Sequence, residues 1–151
     1  MEIDRTPVTS PAAAVERSVE LDADVDAVLE LVADTSSWAS WLGTWEADDR
    51  DGRARVTTDD GVTRVVERFG RTEGTVTWRW TPEGDPDEVS EVHIEVAPLD
   101  DGRSRMTVRE VMARAGAGAS STAVPSFAGW VAVLLVLQVL VALRSDLLVA
   151  V

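Results

Sequence analysis

The sequence predicts an α+β fold in which a single long C-terminal helix covers one face of a curved antiparallel sheet, with two short helices after the first strand. Three observations predict this arrangement. Apolar and polar side chains alternate in short segments between residues 15 and 113. Asp-Gly dipeptides, which favour tight turns, separate several of these segments. Residues 127–143 (FAGWVAVLLVLQVLVAL) have Gln138 as their only polar side chain, which indicates one apolar helix.

The first predicted elements are a strand and a helix. Residues 15–21 alternate in polarity, and Arg17 falls in phase with the apolar side chains of one face. Asp24 is placed to cap the following helix, because its carboxylate can accept hydrogen bonds from free backbone N–H groups. That helix should end near Asp34. Its apolar face is formed by Val25, Val28, Leu29 and Val32.

A second short helix is predicted over residues 35–43, beginning at Ser36 or Ser37 and ending at Gly43. A meander of five or six strands follows, because the connections are short and the patterning has a period of two. The predicted strands cover residues 53–58, 62–69, 75–81, 91–97 and 103–113, and the clearest alternations lie in residues 76–80, 92–96 and 106–112. Ser126 is placed to cap the final helix, which should run from about residue 127 to residue 145.

Composition limits the organisation of the chain and its partners. Residues 1–14 are predicted to form a flexible tail, and residues 15–151 a single domain. The net charge of −13 disfavours nucleic acid, because phosphates would repel such a surface. Cysteine is absent, which excludes disulfides and thiolate metal sites. The N-terminus lacks the apolar segment of a signal peptide, so the expected location is the cytoplasm.

Four segments, taken in order, carry a family resemblance. They are VELDADVDAV (19–28), WASWLG (38–43), RDGRARVT (50–57) and TWRWT (77–81). Together they resemble the helix-grip fold of START domains, pollen-allergen-like proteins and polyketide cyclases, the SRPBCC superfamily. The branch they look most like is that of the C-terminal domain of the heat-shock-protein-90 ATPase activator. The resemblance implies an apolar pocket for a small molecule. It does not imply chaperone activation, because the true activator has a separate N-terminal domain for which this chain has no room.

The predicted ligand pocket lies between the sheet and the final helix. Trp78 and Trp80 are its leading candidates because they share the apolar face of one strand, although core packing is the more common role of any single tryptophan. The full predicted lining is Arg17, Trp41, Trp78, Trp80, Ile94, Met106, Val108, Glu110, Trp130 and Leu134.

Arg17 and Glu110 are the charged side chains that fall in phase with inward residues. The fold implied by the resemblance makes the first and last strands neighbours, so the two side chains could meet. A buried charge is costly unless it is paired, so such a pair would orient a polar ligand group or serve acid–base chemistry. The favoured interpretation is that a bulge or a strand end turns both side chains toward water.

The favoured function is a non-catalytic binding protein for a small hydrophobic ligand, either a lipid or an aromatic, polyketide-like molecule. It predicts no catalytic residue, no cofactor and no metal site, since the only histidine, His93, falls on the solvent face without a ligand cluster. One alternative is an enzyme of the polyketide cyclase/dehydratase type that uses Arg17 and Glu110. The other is a chaperone-associated interaction protein.

The final apolar segment has two interpretations. Its seventeen residues would form a helix of about 25 Å, which is shorter than the roughly 30 Å hydrocarbon core of a bilayer. Packing inside the domain is therefore favoured, and a membrane tail through residues 127–143 is the alternative. Only one stripe of the helix can pack on the sheet, so its apolar outer face predicts a homodimer or another protein contact.

Overall fold

The computed structural model describes residues 14–47, 53–112 and 127–150, and the side chains of these ranges as far as residue 144. Its strands are β1 (Ala14–Leu21), β2 (Gly43–Ala47), β3 (Ala54–Thr58), β4 (Thr63–Thr72), β5 (Thr75–Pro82), β6 (Ser90–Pro98) and β7 (Ser104–Met112). They form one antiparallel sheet in the order β1-β7-β6-β5-β4-β3-β2. The helices are α1 (Val25–Ala33), a 3₁₀ helix (Thr35–Ser40) and the long α2 (Trp130–Ala150). The predicted fold class is confirmed.

Two aspartates set the boundaries of the short helices. Asp24 caps α1, and its carboxylate accepts a hydrogen bond of 2.8 Å from the Ala27 N–H. Asp34 follows the end of α1 and accepts a bond of 3.0 Å from the Ser36 N–H. The helix begins at Thr35, as the predicted range of residues 35–43 does, but it is capped by Asp34 instead of being started by Ser36 or Ser37, and it ends at Ser40.

Gly43 does not end the second helix as predicted; it is the first residue of β2. It pairs across the strands with Thr58, and an added Cβ would overlap the carbonyl group of Thr57. Gly43 is therefore needed for close strand approach rather than for helix termination.

The inward face of the sheet follows the predicted alternation. Trp78 and Trp80 of β5 are each 1% exposed, and Ile94 of β6 and Val108 of β7 are fully buried. They belong to one core with the inner stripe of α2, which is formed by Trp130, Val133, Leu134, Leu137 and Val141. The helix is thus held against the concave face of the sheet.

The final helix differs from the prediction at both ends. It begins at Trp130 instead of near residue 127, and it continues to Ala150 instead of residue 145. Gly129 precedes it, and glycine is a poor helix former. The proposed cap Ser126 and most of the predicted tail, residues 1–13, lie outside the described residues. In the described part of the chain, no helix combines the length and the apolarity needed to cross a membrane.

Candidate functional site

The predicted pocket residues form the densely packed centre of the molecule. Nine of the ten are at most 4% exposed, namely Trp41, Trp78, Trp80, Ile94, Met106, Val108, Glu110, Trp130 and Leu134. The Trp80 ring stacks on Trp130 with a centroid distance of 5.9 Å and meets Trp78 edge-on at 5.8 Å. The Trp78 Nε1 atom is buried without a hydrogen-bond partner among the described residues. Aromatic rings therefore occupy the space in which the sequence predicted a hollow.

Arg17 is the exception among the ten. It lies on the inward face of β1 opposite Val108, but it is exposed, and its guanidinium donates a 2.8 Å hydrogen bond to the carbonyl of Glu16. Glu110 faces Val15 instead. Because β1 is an edge strand of the sheet, a side chain on its inward face can remain exposed. β1 and β7 are neighbours as expected, yet Arg17 and Glu110 are not brought together.

Glu110 is the centre of a buried polar network. Its side chain is 1% exposed, so the favoured interpretation, that it turns toward water, is wrong for Glu110. The Oε2 atom accepts hydrogen bonds from Trp80 Nε1 at 2.7 Å and from the Ser90 hydroxyl at 2.6 Å, and Oε1 accepts one from Trp130 Nε1 at 2.8 Å. One carboxylate thus joins β5, β6, β7 and the first turn of α2. The network fastens the start of the long helix to the sheet.

Arg64 is a second buried charged residue, and it was not among the predicted site residues. It is 1% exposed on β4, and it donates a 2.7 Å hydrogen bond to the Thr58 hydroxyl. Its guanidinium carbon lies 5.2 Å from the centroid of Trp80 and 5.1 Å from that of Phe127, within the range of cation–π contacts. The alternation of the strand could have indicated its burial, because Arg64 is in phase with the buried Val66 of β4.

An apolar cleft of about 330 Å³ opens beside these rings, between the start of α2 and the turn that joins β3 to β4. We call it the α2 cleft; its lining is Leu42, Asp59, Asp60, Phe127, Ala128, Gly129, Ala132 and Val133. The Phe127 ring folds back over Gly129, where a Cβ would lie only 2.7 Å from the ring. That ring also meets Trp80 and Trp130 edge-on, at 5.5 and 5.1 Å. Phe127 therefore separates the α2 cleft from the tryptophan core.

Asp60 links the rim of the α2 cleft to the buried Arg64. The Thr58 hydroxyl and the Val62 N–H donate to its Oδ1, and Arg64 donates to its Oδ2 at 3.3 Å. Partial burial acts to raise the pKa of Asp60, but these hydrogen bonds and the nearby guanidinium outweigh it, so the pKa lies below the ordinary value of 3.8. The folded protein therefore favours the ionised carboxylate.

Replacing Asp60 with Asn should lower the free energy of unfolding at pH 7 by about 1 kcal/mol. Because the pKa is lowered by folding, the stabilisation is complete above the unfolded value and is lost as the pH falls through the folded one. The difference between D60N and the original protein should thus shrink on acidification. Urea unfolding at several pH values measures it, with the exposed neighbour Asp59→Asn as the control. A difference that grows on acidification would contradict the assignment.

His93 and the acidic residues supply no metal centre in the described ranges, where no group of three or more His, Asp or Glu side chains is placed to hold an ion. His93 is exposed on the outer face of β6, and its Nε2 atom lies 3.3 Å from the Glu91 carboxylate. The exposure of His93 agrees with its predicted place on the solvent face of the sheet.

Comparison of the fold finds similar solved structures. A START superfamily protein from Mycobacterium smegmatis matches 87% of this chain and 98% of its own, with 14% identity and a TM-score of 0.62. The protein XoxI from Bacillus cereus matches 86% and 96%, with 15% identity and a TM-score of 0.59. DynU16, from the dynemicin biosynthetic locus, matches 71% of this chain but 40% of its own, with 24% identity and a TM-score of 0.54.

The sequence itself matches no family model and no curated protein. At the identities found, likeness to solved structures establishes the fold and not an activity. The predicted helix-grip resemblance is confirmed at that level. The resemblance to the branch of the heat-shock-protein-90 ATPase activator stays a prediction.

Proposed function

We propose that this chain, which has the SRPBCC/START-like helix-grip fold, is a non-catalytic binding protein for a small apolar molecule, lipid-like or aromatic. The observation that carries the proposal is the α2 cleft and its position against the tryptophan core. Its volume of about 330 Å³ lies at the lower end of the range for small-molecule sites, which is about 300–1,000 Å³. The proposed location is the cytoplasm, as predicted from the sequence.

The chemistry of the α2 cleft favours an apolar ligand. Six of its eight lining residues are apolar or glycine, and the carboxylates of Asp59 and Asp60 stand at the turn between β3 and β4. A ligand seated there would bury hydrocarbon against Phe127 and the first turns of α2. A larger ligand would have to displace the Phe127 ring, after which Trp80 and Trp130 would form the new floor.

Catalysis is not favoured by the charged residues. Glu110 lies behind Trp80 and Trp130, accepts three hydrogen bonds and is not part of the α2 cleft lining. Arg17 is exposed on the edge strand. A cyclase-type reaction requires a polar group within reach of the bound substrate. The two carboxylates that line the α2 cleft, of Asp59 and Asp60, stand at its rim, and that of Asp60 already accepts three hydrogen bonds. The binding role is therefore proposed ahead of the enzyme.

Filling the α2 cleft should abolish ligand binding without unfolding the protein. N-phenyl-1-naphthylamine is a neutral, apolar probe, which the acidic surface does not repel. Binding can be followed by energy transfer from tryptophan to the probe. We expect saturable binding to the original protein, and Ala132→Phe should weaken it at least about tenfold, or about 1.4 kcal/mol.

The matched control is Ala142→Phe, since Ala142 is also exposed on α2 but lies outside the α2 cleft. It should leave the affinity for the probe unchanged, and circular dichroism should show the same helix content in both variants. Failure of the original protein to bind the probe, or equal loss in both variants, would contradict the proposed site.

A further inference from the structure

The outer face of α2 is apolar along the length whose side chains are described. The outer stripe consists of Val131, Leu135, Val136, Val139 and Leu143, which are 52, 56, 45, 59 and 55% exposed. Ala132 and Ala142 are exposed between them. Gln138 lies outside the stripe, and its amide donates to the carbonyl of Glu20 on β1. The exposed surface of the outer stripe is therefore entirely apolar.

The order of side chains in the stripe makes it complementary to itself. Its main ridge, with spacing i+4, reads Val131, Leu135, Val139, Leu143. If two copies meet antiparallel about a two-fold axis near Leu137, Val131 faces Leu143 of the second copy, and Leu135 faces Val139. Every contact then places a small side chain opposite a larger one, and this alternation fills space evenly. In a parallel arrangement, each valine would face a valine and each leucine a leucine.

Charge and area limit the strength of a contact with a second copy but do not prevent it. Each chain carries a net charge of −13, which opposes association. The stripe itself is uncharged, so it is the part of the surface where two copies can approach at least cost. Its five half-exposed side chains present on the order of 400 Å² per copy, about half of the roughly 800 Å² that each partner gives to a standard interface.

We propose that the outer stripe of α2 is an isologous dimer interface, in which α2 packs antiparallel on α2 of a second copy of this chain. The modest area and the opposing charge make this dimer reversible, with a dissociation constant in the micromolar range. It does not depend on the proposed ligand, since four of the five stripe residues lie beyond the α2 cleft along the helix.

The experiment is light scattering after size exclusion at 1–200 µM protein in 150 mM salt. The mass should rise from 16.3 kDa toward twice that value with concentration. Leu135→Glu and Val139→Arg should each shift the dissociation constant upward at least about tenfold. An equimolar mixture of the two variants should dimerise again, because the antiparallel arrangement places the introduced glutamate of one copy opposite the introduced arginine of the other.

Ala97→Glu, which adds the same charge at an exposed position of β6, is the control and should dimerise like the original protein. A monomer at 200 µM would overturn the proposal. So would a dimer that Leu135→Glu leaves intact, or a mixture of the two variants that stays monomeric while both variants keep the original circular dichroism.

Discussion

Replacing Glu110 with Ala should lower the free energy of unfolding by about 3–5 kcal/mol, because each buried donor that loses its acceptor costs about 1–3 kcal/mol. The substitution leaves two buried indole N–H groups, of Trp80 and Trp130, and the Ser90 hydroxyl without their acceptor. It also leaves space beside the rings. Because Glu110 holds the first turn of α2, the variant should in addition show red-shifted tryptophan emission and a weaker near-ultraviolet circular dichroism signal.

Glu110→Gln separates the loss of hydrogen bonds from the loss of volume. The amide keeps the shape but replaces one oxygen by an NH₂ group, so one indole N–H must face a donor. We expect a cost between zero and that of the alanine variant, about 1–3 kcal/mol. Glu95→Ala, an exposed carboxylate on the adjacent β6, should change the free energy by less than about 0.5 kcal/mol. Equal effects at Glu110 and Glu95 in urea unfolding would contradict the network.

The sheet could be predicted from the sequence because alternation determines which face a side chain takes. Trp78, Trp80, Ile94 and Val108 were all assigned inward and are all buried. The same pattern does not reveal whether an inward position is covered. Arg17 and Arg64 are both in phase with apolar neighbours, yet Arg17 on the edge strand β1 is exposed, and Arg64 on the interior strand β4 is 1% exposed. Whether an inward side chain is buried depends on the position of its strand in the sheet, and the local sequence pattern does not indicate that position.

The interior could not be predicted because packing depends on how side chains from distant segments meet. The sequence indicated a helix beside a curved sheet, and the expected hollow followed from that geometry alone. Instead, Phe127 folds back over Gly129 toward Trp80 and Trp130, so the candidate site lies at the start of α2 and not within the sheet. A ligand role therefore depends on the α2 cleft, and for a larger ligand also on movement of Phe127, rather than on a chamber within the sheet.

Replacing Trp38 with Ala should have an effect as large as any other single substitution in the core, about 3–5 kcal/mol of unfolding free energy. From the sequence, core packing is the favoured role of Trp38, as of any single tryptophan, and pocket lining is the alternative. In the structure it is fully buried, and its Nε1 atom donates a 2.9 Å hydrogen bond to the carbonyl of Val32, which ties the 3₁₀ helix to α1. Its ring contacts those of Trp41, Trp45, Phe69 and Trp78, at centroid distances of 4.7 to 5.9 Å.

Trp45→Ala is the matched control, because it removes the same side chain from a half-buried position on β2 that meets the same cluster through Trp38. Trp45→Ala should lower the free energy of unfolding by about 1–2 kcal/mol, since the side chain that it removes is only partly buried. Trp38→Phe should recover part of the loss by keeping a ring without the indole N–H. Urea unfolding followed by far-ultraviolet circular dichroism measures all three variants independently of tryptophan emission. If Trp38→Ala cost no more than Trp45→Ala, the helices and the sheet would not be joined through Trp38, and the short helices would be held chiefly by Leu29, Leu31 and Val32.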